Sequence, residues 1–368
     1  MRKHIPHFEV LRGIAALWVF ASHVLLITGT RIKFLSNGDQ AVEVFVMLSG
    51  FVITLMLSNE GEPYDRYIFR RFMRLYPLFL VALVFGLLTN HLYQPVFGES
   101  PWLHQVRTVF QTRDENLANA FFQHLGLHLT MLHGMVPDSI LPQASLMFSG
   151  PLWSISLEWQ FYLIAPLLIG AIGFGNTRRI AISAGILLFA IGLEQLTMNL
   201  WMGEVPSFLP LRLPLFIVGI MCAALWRDAR DARPAVLVVS VVVGFAIASF
   251  FAPNKLPIAM WFAIYFLAAA HDKFDLGRLA DKLISSPVPT FVGRVSYGLY
   301  VLHVPTMMLV TYYIVFPMDI QSRFYAAVAI TTLTLPITLA LAALSFHTIE
   351  KPLARWARGF GRGRAPAE

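Results

Sequence analysis

The chain has 368 residues, of which 57% are hydrophobic and 13% charged, with a formal net charge of +7 and a mean hydropathy of +0.64. That leaves too little polar surface to cover a soluble globule of this size, so the composition excludes a soluble enzyme and predicts an all-α, polytopic membrane helical bundle. The excess of Lys and Arg fits the cytoplasmic bias of membrane proteins, and no nucleic acid is expected as a partner. Cys222 is the only cysteine; an internal disulfide and a cysteine metal cluster are thereby excluded.

Ten spans are predicted, at 8–28, 42–58, 75–93, 150–173, 180–200, 208–226, 234–251, 257–271, 289–316 and 323–347. Arg2 and Lys3 precede the first, as they would a secretory leader. Arg12 interrupts the apolar run, however, and no small-residue cleavage site follows, so the segment is expected to stay as a helix. Arg12 and His23 are three helical turns apart within it, on one face and about 16 Å apart along the axis. An intramembrane cation and an imidazole on one stripe point to function, because ionisable groups are costly in lipid. The alternative is an Arg12 that snorkels to the headgroups and a His23 that hydrogen-bonds a neighbouring helix.

In the second span Glu43, Gly50 and Thr54 fall on one stripe. Glu43 reads either as site lining or as a headgroup-level charge, and Gly50 either as functional or as a point of close helix approach. The inner loop that follows holds Arg66, Arg70, Arg71 and Arg74. Such a cluster can fork onto the phosphates of a cytoplasmic ligand, or serve topology and anionic lipid. Segment 117–133 is apolar but carries His124 and His128 and ends at His133, which suits a short interfacial or re-entrant helix better than a span. No carboxylate stands at ligand spacing from these histidines, so no metal is expected. The segment 94–149, the longest expected outside, is where an external acceptor could be held.

The fourth span places Ser154, Glu158 and Tyr162 on one face. Counting residues puts Glu158 about 12 Å and His23 about 8 Å below the outer surface. One layer is therefore expected to hold both, either as a general base with its orienting carboxylate or as a structural ion pair. In the ninth span Ser296, Tyr300 and His303 share a narrow arc, with His303 either taking a direct part or making an interhelical hydrogen bond.

Charge orients the set. The segments expected outside hold Arg31, Lys33, Arg107, Arg113 and Lys255, while most other Lys and Arg fall inside if both termini are cytoplasmic. An eleventh span at 117–133 would spoil that bias. Residues 1–350 are accordingly read as one transmembrane domain and 351–368 as a basic cytoplasmic tail at the membrane surface.

Six stretches carry a resemblance in order: LRGIAALWVFASH, VEVFVMLSGF, RRFMRLYP, PLWSISLEWQFYL, VGRVSYGLYVLH and FHTIEKP. Together they resemble, over nearly the whole chain, the acyltransferase 3 family of integral membrane O-acyltransferases. The resemblance implies that Arg12 and His23 are the family's Arg-x10-His pair, with His23 essential. It implies that Arg71 and Arg74 form the RxxR element on the donor side, and that Trp153, Ser154 and Glu158 match the Trp-Ser-x-x-x-Glu element, with an important Glu. Members usually take an acyl group, most often acetyl, from coenzyme A and place it on a hydroxyl of a carbohydrate or similar acceptor. Departures are Trp159, where a second acid often follows the Glu, Glu43 in place of Asp, and Glu9 and Val10 in place of Asp-Gly. The length leaves no room for the soluble esterase-like domain that some members carry after the last span.

The two readings converge on a multi-pass protein of the cell inner (plasma) membrane. His23 and Glu158 are the expected catalytic residues. Arg12, Arg71 and Arg74 are expected to hold the acetyl-coenzyme A donor, and Glu43, Ser49, Trp153, Ser154, Tyr300 and His303 are candidate lining. His23 would either deprotonate the acceptor or carry the acyl group covalently. The rival is a transporter or flippase that uses the same charges to bind or relay.

Overall fold

The computed structural model describes residues 5–359 except 61, 175, 202, 271 and 272. The basic ends that entered the charge argument, Arg2 and Lys3 and then Arg362 and Arg364, lie outside the described residues. The described chain is all-α. Its helices are α1 (Pro6–Thr28), α2 (Gly38–Glu60), α3 (Tyr64–Leu88), α4 (Thr108–Leu129), α5 (Leu152–Ala171), α6 (Thr177–Leu200) and α7 (Leu213–Ala224). There follow α8 (Trp226–Asp231), α9 (Pro234–Phe251), α10 (Lys255–Ala269), α11 (Asp275–Ile284), α12 (Pro287–Val310), α13 (Arg323–Ser345) and α14 (Lys351–Gly359). Among the described residues eight helices are long and apolar enough to cross a membrane, and two more, α7 and α10, are apolar but shorter. These ten coincide with the ten predicted spans. We call the end of the bundle at the α1 C-terminus the upper end and its opposite the lower end.

Three boundaries differ from the sequence reading, each for a local reason. Helix α3 begins right after Pro63, which cannot continue a helix backwards, so Arg66 to Arg74 form its first turns rather than a loop. Those turns read as polar in a hydropathy window because their arginines lie along them. Within segment 117–133, residues 117–129 are the second half of the longer α4, which bends at Ala120 (φ −140°, ψ 35°). Helix α13 runs through a wider turn at Phe346–Glu350 into α14, so the start of the expected tail is helical.

Helix α7 has only 12 residues and is buried along its length. It is approached by an irregular stretch whose Leu209 N–H donates to Gln160 Oε1 (2.9 Å), while Gln160 Nε2 donates to the Ser207 carbonyl (3.0 Å). Non-helical backbone at membrane depth needs such partners, since lipid offers none.

Glycines set the closest helix contacts. A Cβ on Gly50 would lie 2.2 Å from the Phe216 carbonyl oxygen, and one on Gly219 would lie 2.0 Å from that of Met47. Helices α2 and α7 therefore meet backbone to backbone, which settles Gly50 as a packing residue. Gly50→Ala is expected to cost about 1–3 kcal/mol by overpacking, seen as a lower melting temperature of the detergent-solubilised protein.

Candidate active site

Helices α1, α2, α3, α5 and α12 enclose a cavity of about 100 Å³ within the bundle, lined among others by Arg12, Ser49, Arg71, Arg74, Glu158 and Tyr300. Glu158 is its anionic centre. It accepts a hydrogen bond from Ser49 Oγ (2.9 Å) and a short one from the Tyr162 hydroxyl, one turn on. Ser154, one turn before Glu158, shares a hydrogen bond of 2.7 Å with the Tyr300 hydroxyl.

The arginines of α3 divide by partner. Arg66 and Arg70 both face Glu62, at 3.6 and 2.7 Å. Arg74 pairs with the buried Glu350 and sits 5.1 Å from the Tyr297 ring. Arg71 stands 5.9 Å from the Tyr162 ring, and its Nε is buried without a hydrogen-bond partner. Arg12 lines the same space, with no ion pair among the described residues. The open cationic capacity of the cavity thus lies with Arg71 and Arg12. Sequence reasoning missed Glu350, although it stands inside the quoted FHTIEKP stretch.

His23 is not paired with Glu158. Its Nδ1 lies 2.9 Å from the Val19 carbonyl oxygen and 3.2 Å from His303 Nε2, while His303 Nδ1 lies 2.7 Å from the Tyr300 carbonyl oxygen. A carbonyl oxygen only accepts, so His303 Nδ1 carries the proton and His303 Nε2 a lone pair. That lone pair accepts from His23 Nδ1–H, which also faces Val19. The His23 Nε2 lone pair is left free, with no partner among the described residues, on a half-buried ring edged by Phe97. His303 thus takes the orienting place that counting assigned to Glu158. Counting fixes height along a helix but not which neighbour it faces, and α12 is the helix packed on α1 here. The two centres still connect: Tyr300 is one turn from His303 and bonds Ser154, one turn from Glu158.

Two candidate lining residues lie elsewhere. Trp153 is buried in the apolar core rather than on the cavity wall. Glu43 belongs to a separate polar cluster at the upper end, where it pairs with Arg212 (3.5 Å) and accepts from Asn254 Nδ2 (2.8 Å). The α4 histidines are also apart. His128 and His133 stack at 3.9 Å, and burial holds His133 down to about 3 and His124 to about 4, so all stay neutral near pH 7. Among the described residues no group of three or more His, Cys, Asp or Glu could hold a metal ion.

The sequence model of an acyltransferase domain matches residues 5–343. A protein of Staphylococcus aureus (strain COL), provisionally named an O-acetyltransferase, is 23% identical over 382 residues, covering 96% of this chain and 58% of its own. The peptidoglycan O-acetyltransferase OatA of Listeria monocytogenes is 24% identical over 396 residues, covering 96% and 56%. The acyltransferase MdmB of Streptomyces mycarofaciens is 31% identical over 180 residues, covering 44% and 38%. The chain thus spans less than two thirds of these relatives, and no solved structure matches it. With the match running through every helix that builds the cavity and the histidine pair, the chain belongs to the acyltransferase 3 family.

Proposed function

We propose that this protein moves an acyl group, acetyl in the first instance, from cytoplasmic acyl-coenzyme A to a hydroxyl of a carbohydrate acceptor at the outer face of the plasma membrane. The observation that carries the reading is the free Nε2 lone pair of His23, held by His303, whose neighbour Tyr300 lines the cavity that Arg71 and Arg12 also line. The names of the relatives support an acetyl group, and that of OatA a cell-wall glycan as one acceptor class. The charge bias supports the lower end as cytoplasmic.

In this scheme Arg71 and Arg12 draw in the phosphates and arm of the donor, and the small cavity widens as the thioester enters. His23 Nε2 takes the proton of the acceptor hydroxyl while the oxygen attacks the thioester carbonyl. The new C–O bond forms, the C–S bond breaks, and the thiolate leaves with the proton from His23. In the covalent version Nε2 itself attacks first, an N–C bond forming as the C–S bond breaks and the thiolate leaves; the acceptor oxygen then takes the acyl carbon from Nε2, and its proton passes through the freed imidazole to the thiolate. Label from acyl-coenzyme A retained on His23 without acceptor marks the second route. Glu158 balances the arginine charge near the reacting carbonyl.

Sealed inside-out vesicles test the reading. Labelled acetyl-coenzyme A supplied outside should leave label on acceptor in the lumen. Translocation of acceptor without covalent label would replace the enzyme by a transporter.

His303 gives a further expectation. His303→Ala should lower kcat about 10- to 100-fold, as loss of an orienting partner does, with the KM for donor little changed. His303→Gln, whose amide oxygen can accept from His23 Nδ1–H, should recover more activity than His303→Ala in steady-state assays of folded protein. Equal activity in the two variants would remove the orienting role.

A further inference from the structure

At the upper end α1 and α13 part around a groove of about 1200 Å³. Its walls are largely aliphatic, with Val24 and Leu25 from α1 and Ala327 and Val328 from α13, all within helices apolar enough to span, and Thr331 and Thr332 of α13 and His104 and Gln105 add polar lining. Its rim is cationic: Arg31, Arg107 and Arg323 line it, and Lys33 lines the recess beside it. None of these four pairs with a carboxylate among the described residues.

The rim is built rather than incidental. Arg107 donates from Nη1 to the carbonyls of Leu26 (2.8 Å) and Phe97 (3.2 Å), which fixes it at the mouth, and Arg323 reaches the Gly29 carbonyl (3.4 Å). Burial and the neighbouring Arg31 both lower the pKa of Arg107, as like charges gathered without a counterion do. Topology does not account for the cluster, because the charge rule keeps cations away from this end. Arg31, Lys33 and Arg107, most of the cations expected outside, nevertheless meet here.

The walls choose among anions. A free phosphate would leave the aliphatic depth of the groove wet. An amphiphile with an anionic head satisfies both parts. Phe324 and Tyr325, exposed by 69% and 66% at the start of α13, are aromatic residues of the kind that stand at headgroup level. We propose that this groove binds an anionic phospholipid of the outer leaflet, its phosphate among Arg31, Arg107 and Arg323 and an acyl chain laid between α1 and α13.

The site is independent of acyl transfer and is tested by binding. The full chain is purified and placed in mixed micelles of phosphatidylglycerol and phosphatidylcholine, and retained lipid is counted by native mass spectrometry. The wild type should retain phosphatidylglycerol preferentially. Arg31→Gln with Arg323→Gln should reduce that preference about fivefold per cation removed. Lys255→Gln, a cation outside the groove, should leave it unchanged and so controls for general surface charge. A wild type without preference, or a double variant that keeps it, would overturn the proposal. So would complete displacement of the lipid by millimolar inorganic phosphate, which would make the site one for the free anion. Arg31→Lys serves should the double variant fold poorly: it keeps the charge and should keep most of the preference, and its loss would count against a phospholipid held by charge.

Discussion

His23→Ala should lower the rate of acyl transfer about 10²- to 10⁴-fold, the contribution of a lost general base, while the protein remains folded and inserted. The substitution removes the one ring nitrogen that the histidine pair leaves free, yet deletes no carboxylate or arginine partner, so the bundle keeps its ion pairs. Product yield measured by mass spectrometry on matched amounts of purified protein decides it. Near-normal yield from His23→Ala would falsify the catalytic assignment and move attention to the Glu158 cavity. If the covalent route operates, the same variant also loses any donor label retained in the absence of acceptor.

The second large effect separates two arginines that sequence treats as one motif. Arg71→Gln should raise the Kd for acyl-coenzyme A about 10- to 100-fold, since a hydrogen bond to a charged group contributes about 1.5–3 kcal/mol. Its fold should survive, because among the described residues no carboxylate pairs with Arg71. Arg74→Gln should act differently: it strands the buried Glu350 carboxylate, and its first consequence is lost stability of a few kcal/mol. Adding Glu350→Gln to Arg74→Gln should restore much of the melting temperature, as removing both charges costs less than removing one. Lys at position 71 should rescue donor binding only in part, lacking the planar fork. Unchanged donor affinity in a folded Arg71→Gln would return the arginine cluster to topology and lipid contact.

The placement of the spans was legible because a run of apolar residues about as long as the bilayer is thick can be read without knowing its neighbours. Even the short α7 and α10 showed as apolar segments between charged turns. The start of α3 was not legible, since arginines along the first turns of a helix look like a loop to any hydropathy window. Within the site, Arg12, Ser49, Arg71, Ser154, Glu158 and Tyr300 line one cavity. The partner choices were hidden. His23 finds His303 rather than Glu158, Arg74 finds Glu350, and Glu43 finds Arg212, each across a sequence gap that no helical period bridges. Spacing along one helix specifies a face; only packing specifies what that face meets.

At about 1.5 Å per residue, α7 rises only some 18 Å against a hydrocarbon layer of about 30 Å. Lipid cannot absorb the shortfall, because the helix is walled in by other helices, and the chain instead enters membrane depth as open backbone held by Gln160. With Ser207 fully buried and Gln160 only 5% exposed, no solvent stands ready to replace that side chain, so the open backbone before α7 depends on Gln160 for its hydrogen bonds.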